Sequence, residues 1–320
     1  MNTWVPPPAD HFERIACYRC GGSEARPFVV AADDLTGKPG RFSFVVCDGC
    51  GLAYQNPRLR LEHIGDYYDD EYIAHRKKTD WGWLTPFYLR AMRRHDLVKL
   101  DIVERYVHLT PNSRALDIGC GAGTFLAELM TRHGLTAFGV DFKNLAHLPS
   151  MAGIDFRCGL LADQALPAAG FDLVTMWHYL EHDYDPPATL RRCRALLAPE
   201  GRLVVEVPRL DSLSFRLYRE RWPGLQAPQH TVLFDREQLL AMVDEAGLEV
   251  VDYLPWGAFP PYFYLFAGLA FKFLRGRGLD LDRAILPYFV GQFLASPLLV
   301  FSRQLNLAMQ TVVCRRRDAD

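Results

Sequence analysis

Leu116-Asp117-Ile118-Gly119-Cys120-Gly121-Ala122-Gly123-Thr124-Phe125 is an apolar strand-like run that breaks into alternate glycines and then enters a helix. Glycines let a backbone come close to a ligand, and the helix behind them presents free N–H groups to a carboxylate. The spacing reads G-x-G-x-G, with an acid, Asp117, two residues before the first glycine. A dinucleotide fingerprint needs G-x-G-x-x-G, and its third glycine would fall on Thr124. Asp141 ends the next strand-like run, about twenty residues on, where a carboxylate can accept both hydroxyls of a ribose. Enzymes that use NAD also carry an acid there, so Asp141 alone does not choose between nucleotide ligands.

Outward from this stretch, short apolar runs alternate with helical patterns, which predicts an α/β sheet. The expected strands are Arg114–Ile118, Ala137–Asp141, Asp155–Arg157, Phe171–Trp177, Arg202–Val207 and Leu248–Leu254, with a last one at Ala308–Arg315. Helices are expected at Gly123–His133, Leu190–Leu197 and Arg236–Ala246, and a leading helix over Pro86–Leu109. Ligands of such a sheet lie beyond the carboxyl ends of its strands.

Four segments together resemble the ordered motifs of class I S-adenosylmethionine-dependent methyltransferases. They are Asp117 to Gly123, Val140-Asp141-Phe142, Phe171-Asp172-Leu173-Val174 and Leu197-Ala198-Pro199-Glu200-Gly201-Arg202-Leu203. The match runs from about Pro111 to Leu254 and takes in the last strand; Pro199-Glu200-Gly201 stands where Pro-Gly-Gly is common. The resemblance implies a Rossmann-like, seven-stranded sheet with S-adenosylmethionine across the ends of its first strands. Asp117, Gly119, Cys120, Gly121 and Gly123 would then line the methionine and ribose end. Asp141 would hold the ribose, Phe142 would pack on the adenine, Ala162 and Asp163 would border it, and Trp177 would complete the cofactor set.

Cys17 and Cys20, then Cys47 and Cys50, stand in two C-x-x-C pairs. Each pair places two thiolates about one tetrahedral edge apart, and two such knuckles complete a closed four-sulfur zinc site. A redox dithiol would be one pair in a βαβ setting. Strand-like Phe28–Ala31 and Arg41–Val46 join the pairs, and a closed ligand set favours a structural metal. The segment Cys47-Asp48-Gly49-Cys50-Gly51-Leu52, followed by Asn56-Pro57-Arg58, resembles zinc-ribbon methyltransferases. Deoxysugar C-methyltransferases carry a comparable module, but their extra C-terminal domain is not expected here, so their substrate is not carried over. The other cysteines, Cys120, Cys158, Cys193 and Cys314, read as small buried residues. The expected organisation is a zinc ribbon at 1–60, a linker and leading helix at 61–110, and the methyltransferase domain at 111–255. An apolar helical insertion at 256–307 and the last strand and tail at 308–320 complete it.

Methyl transfer from a sulfonium is an in-line displacement, and an oxygen or carbon acceptor must also lose a proton to a base. The candidates are His178, Glu181 and His182 in Trp177-His178-Tyr179-Leu180-Glu181-His182, which would share a face on a helical turn, and His230 in a proline-flanked loop. A similar Glu-x-x-Glu-His stretch in ubiquinone-pathway O-methyltransferases is associated with a divalent metal, and His178 replaces its first Glu. A histidine hydrogen-bonded beside the nucleotide is the structural alternative for His182.

A net charge of -2 gives no argument for a polyanionic partner, so nucleic acid is not expected. Met1 to Asp10 shows no basic stretch followed by an apolar run, so a cytoplasmic location is expected. Between Trp256 and Phe271, and again between Ala284 and Ser302, no charge occurs, while Lys272, Arg275, Arg277 and Arg283 lie between the two stretches. Two spans would put those basic residues outside, against the positive-inside tendency. An interfacial helical hairpin on the inner face of the membrane fits 256–302, with a buried cap over an apolar acceptor as the alternative. Either form points to methyl transfer to O or C of an amphipathic or lipid-linked small molecule. A soluble sugar nucleotide as acceptor, with the insertion as a dimer interface, and a non-catalytic adaptor retaining the cofactor fold remain open. A nicotinamide dehydrogenase is disfavoured by Thr124.

Overall fold

The computed structural model describes residues 5–68, 82–274, 277–299 and 306–317. Residues 69–81 of the expected linker and Arg275 of the basic loop lie outside the described residues. The chain opens with β1 (Phe12–Glu13), β2 (Ala25–Ala31), β3 (Phe42–Cys47), β4 (Ala53–Gln55), β5 (Arg58–Leu59), α1 (Leu61–Ile64) and α2 (Thr85–Val103). It continues through β6 (Arg114–Ile118), α3 (Thr124–His133), β7 (Thr136–Asp141), β8 (Asp155–Cys158), β9 (Phe171–Trp177), α4 (Pro186–Leu196) and β10 (Leu197–Pro208). After α5 (Leu213–Tyr218), β11 (Val232–Leu233), α6 (Arg236–Glu245) and β12 (Leu248–Leu254), the apolar stretch forms α7 (Pro261–Leu274) and α8 (Leu281–Leu299) before β13 (Met309–Arg316).

Among the described residues seven strands form the main sheet in the order β12-β13-β10-β9-β6-β7-β8. Its neighbours pair in parallel except at β13, which runs antiparallel to both β10 and β12. Strands β6, β9 and β10 are largely buried on both faces, as the inner strands of such a sheet are. Chain order reverses between β6 and β9, which opens a crevice beyond their carboxyl ends. Local signals set the helix ends. Asp185 caps α4 by accepting from the Ala188 N–H, with Pro186 at its first turn, and Asp235 caps α6 through Gln238. The leading helix stops at Val103, short of the expected Leu109, which packs into the core from the loop beyond.

The front sheet differs from a free-standing ribbon. Its order is β11-β4-β3-β2, so a strand from 230 residues into the chain completes it. Val232 pairs with Tyr54 and Leu233 with Ala53. Cys17, Cys47, Leu52 and Tyr54 share one buried cluster with Leu190, Cys193 and Met242 from the main sheet's covering helices. The opposite face, through Phe42, Phe44 and Leu59, packs on Phe215, Trp222 and Tyr264. Of the four single cysteines, Cys120, Cys193 and Cys314 are buried as expected, whereas Cys158 is exposed at the end of edge strand β8.

Helix α7 turns Tyr264, Ala267, Gly268 and Phe271 inward, and leaves Leu269 and Phe273 exposed. Leu286, Val290, Phe293 and Leu294 of α8 are exposed at helical spacing, one apolar stripe. Pro287 and Pro297 lie inside α8. Among the described residues no helix is long and apolar enough to cross a membrane.

Candidate active site

The crevice at the β6–β9 switch is built from the glycine stretch upward. Gly119 has φ +73°, and a Cβ there would lie 2.7 Å from the Tyr179 ring, so the turn admits no side chain. Gly123, also left-handed, starts α3, with Cys120 buried between the two glycines. Burial pushes the Cys120 thiol well above its ordinary range, so it is a neutral packing group. Asp141 Oδ2 accepts the Gly121 N–H at 2.9 Å and Oδ1 accepts the Lys143 N–H at 3.0 Å. These bonds fix the carboxylate while leaving lone pairs for further donors.

Asp117 is buried at the end of β6 and accepts the Thr175 hydroxyl at 2.6 Å. Burial raises its pKa to about 7, with Lys99 and Thr175 working in the other direction. Lys99 pairs with Asp96 at 3.5 Å and lies 5.6 Å from the ring centres of both Phe125 and Trp177. The Trp177 indole N–H is buried with no hydrogen-bond partner among the described residues. Phe142, partly exposed, meets the Tyr68 ring edge-on at 4.9 Å. Ala162 and Asp163 are exposed on the 3-10 turn Leu161–Asp163 that follows β8. A glycine cradle, an oriented acid, a buried acid and an unmet indole donor fit a ligand with a ribose and a methionine-like end.

Beyond β9 the candidates for chemistry converge, though not along a helix. His178 sits at φ +58°, a rare conformation for a side chain with a Cβ, and Leu180–His182 forms a 3-10 turn after it. Its Nε2 is 3.0 Å from Glu206 Oε1 and its Nδ1 is 3.6 Å from Glu181 Oε1. Burial opposes charge on this ring, but the two carboxylates overcome it and raise its pKa to about 9. A protonated imidazole cannot take a proton, so at neutral pH His178 supplies charge. Glu206 also accepts the N–H groups of Ala258 at 2.6 Å and Phe259 at 3.0 Å and the Thr311 hydroxyl at 3.2 Å.

His182 and His230 are different. Nδ1 of His182 lies 2.8 Å from the Tyr68 hydroxyl and 3.1 Å from the Gln229 carbonyl, and Nδ1 of His230 lies 2.8 Å from the Gly224 carbonyl. The two rings meet edge to face at 4.4 Å. Burial lowers both pKa values to about 3, so both rings are neutral. Glu181 is buried, and neither of its oxygens has a hydrogen-bond partner among the described residues. Glu181, His182 and His230 each offer a ligand atom within 4.8 Å of the others, a set that could hold a metal ion.

The four ribbon cysteines also gather, with ligand atoms within 4.8 Å of one another. Cys17 and Cys50 sulfurs are 3.5 Å apart and those of Cys20 and Cys47 are 3.4 Å apart, near the edge of a four-thiolate tetrahedron. The knuckles repeat one pattern. Gly21 donates to the Cys17 carbonyl and Gly51 to the Cys47 carbonyl, each glycine left-handed. The ribbon reaches the site through β4. Gln55 donates its backbone N–H to Thr231 at 2.8 Å, its side-chain amide lies 3.4 Å from the His230 carbonyl, and Thr231 donates to the Glu181 carbonyl at 2.8 Å. Arg58 ties Glu13 and the Tyr184 carbonyl together at 2.7 and 3.0 Å.

Sequence reasoning missed Lys99, Glu206, Tyr68 and Gln229. Only Glu206 left a signal, as the lone charge inside Leu203-Val204-Val205-Glu206-Val207, a strand that buries it. The other three reach the site from distant segments.

A crevice of this kind at the switch point of this sheet defines an S-adenosylmethionine-dependent methyltransferase. Residues 89–253 match the family model described as a methyltransferase domain, and the chain belongs to that family. It is 30% identical over 198 residues to the ubiquinone biosynthesis O-methyltransferase of Idiomarina loihiensis, covering 57% of this chain and 80% of that protein. The enzyme of the same name from Xylella fastidiosa strain M23 is 32% identical over 198 residues, 55% of this chain and 78% of its own length. That from Xanthomonas campestris strain B100 is 37% identical over 128 residues, 38% of this chain, which spans about half (53%) of the relative. A solved Haemonchus contortus phosphoethanolamine N-methyltransferase 2 with S-adenosyl-L-methionine overlaps 68% of this chain and 52% of its own at TM-score 0.45 and 18% identity.

Proposed function

We propose that the enzyme methylates a hydroxyl oxygen of an amphipathic, lipid-linked small molecule presented at a membrane surface, with zinc in the ribbon. The observation that carries the reading is the group Glu181–His182–His230 beside the cofactor crevice, neutral at both histidines and with neither Glu181 oxygen hydrogen-bonded among the described residues. Relatives named ubiquinone biosynthesis O-methyltransferases support oxygen as the acceptor atom. The exposed apolar stripe on α8, together with Lys272, Arg277 and Arg283 in and between the two helices, supports an anionic lipid surface.

Asp141 would hold the ribose hydroxyls, Phe142 and the turn at Ala162-Asp163 the adenine, and Asp117 the methionine ammonium. The cofactor supplies an electrophilic methyl on sulfur. A divalent cation on Glu181, His182 and His230, if bound, would polarise the acceptor oxygen. In the ribbon, Cys17, Cys20, Cys47 and Cys50 would hold zinc as a closed, structural set, and no acceptor chemistry passes through it.

Two expected results test these assignments. A catechol bearing a farnesyl chain, supplied in vesicles containing phosphatidylglycerol, is expected to be methylated at least about tenfold more efficiently than catechol alone, since several buried CH₂ groups add binding energy. Equal turnover of both, with no vesicle co-sedimentation, would favour a soluble acceptor. The second concerns pH. Asp117 must lose its proton to pair with an ammonium, so affinity for S-adenosylmethionine should weaken by up to about tenfold per unit as pH falls below 7. Calorimetry between pH 8 and 5.5 reads this directly. A flat profile that matches the Asp117→Asn variant contradicts the assignment.

A further inference from the structure

We propose that His95, one turn before Lys99 on α2, is the residue that receives the acceptor hydroxyl's hydrogen bond and takes its proton. The proposal rests on methyl transfer to oxygen, as argued above. His95 Nε2 is buried and has no hydrogen-bond partner among the described residues. Its ring meets Phe259 edge-on at 5.6 Å, and His178 meets the same phenyl ring at 5.0 Å. Four residues along the helix, Lys99 reaches over Trp177, whose buried indole N–H is likewise without a hydrogen-bond partner among the described residues. The α2 face thus carries one contact to Trp177, assigned above to the cofactor, and one nitrogen without a hydrogen-bond partner beside Phe259.

The other imidazoles are less free for this task. His178 is clamped between Glu181 and Glu206, and the Nδ1 atoms of His182 and His230 are engaged by backbone carbonyls in the cluster tied to the ribbon. Burial keeps His95 neutral, and the charges that face it, Lys99 from its own helix and His178 from the end of β9, act in the same direction. In the reaction the acceptor oxygen forms a bond to the methyl carbon as the carbon–sulfur bond breaks, and the electron pair stays on sulfur. The hydroxyl proton passes to His95 Nε2 and then to water. The sulfonium loses its positive charge as His95 gains one, so the net charge of the pocket is conserved through the step.

The test uses the full-length enzyme with farnesyl-catechol as acceptor. His95→Gln and His95→Ala are expected to lower kcat by about 100-fold or more, while the Kd for S-adenosylmethionine stays within about threefold, the scatter of an untouched site. Glutamine keeps hydrogen-bonding capacity but cannot carry the proton away, so it should not rescue kcat. Independently of turnover, imidazole ¹⁵N spectra of the S-adenosylhomocysteine complex should show the His95 Nε2 resonance moving when catechol is added. Full kcat in His95→Gln, or an Nε2 resonance that ignores catechol, overturns the proposal. If the wild-type enzyme methylates neither acceptor but the resonance moves, the oxygen-transfer reading fails and the His95 contact stands.

Discussion

Glu206→Ala is expected to destabilise the fold by about 3–5 kcal/mol, because it breaks a buried charge pair on one side only. The carboxylate is wholly buried and gathers the N–H groups of Ala258 and Phe259, the Thr311 hydroxyl and the His178 imidazole. Its loss strands two backbone donors at roughly 1–3 kcal/mol each and leaves the imidazole with Glu181 alone. Burial would raise the Glu206 pKa, yet His178 and the two N–H groups hold it below its usual value. The pair also has a pH signature. The raised pKa of His178 contributes stability that is complete below its ordinary value of 6.5 and is lost as pH rises through about 9. Urea unfolding should therefore show wild-type stability falling between those pH values, and a shallower slope in Glu206→Ala. A cost under about 1 kcal/mol, within the range of an ordinary surface change, contradicts this account of the clamp.

The second large effect is expected from the ribbon. Purified enzyme should carry zinc, and Cys47→Ser should lose it and melt at least about 5 °C lower, since a loss of about 3 or 4 kcal/mol moves a chain of this size that far. Structural zinc sites contribute about 10–16 kcal/mol in isolated fingers. Here part of that is shared, because Cys17, Cys47 and Tyr54 sit in the same buried cluster as the main sheet. The consequence for function runs through β4. When β4 loosens, Thr231 and His230 lose the strand that holds them against Glu181. Acceptor turnover should then fall, while affinity for S-adenosylmethionine, which depends on β6 and β7, changes little. A Cys47→Ser enzyme with unaltered melting and full metal content contradicts the ribbon's role as a wall of the site.

The main sheet was legible because its inner strands are largely buried on both faces and read as mostly apolar runs, and because Asp117, the glycines and Asp141 lie within one βαβ unit. The two C-x-x-C pairs were legible for a similar reason, since each knuckle is local. The rest depended on distance. Strand β11 has two residues, too short for any periodicity, yet it joins the ribbon to the site. His178 and His182 were read as neighbours on a helical turn, and spacing alone could not show that the chain kinks at His178 through a left-handed conformation. Nor could it show which histidine would be charged. His178 and His182 share one short segment; the Glu181 and Glu206 carboxylates beside the first raise its pKa, while burial, with His230 alongside, lowers that of the second. His95 was hidden within a helix of mixed polarity, where a single histidine is unremarkable.

The central claim is a cofactor site for S-adenosylmethionine held by Asp141, and calorimetric titration of the enzyme beside Asp141→Ala, with NADH as control, tests it most directly. The account predicts micromolar binding of S-adenosylmethionine, no binding of NADH, and at least about a 30-fold loss in the variant, the equivalent of about 2 kcal/mol for charge-assisted bonds to the ribose. Binding of NADH in place of S-adenosylmethionine, or equal affinity in Asp141→Ala, would contradict it.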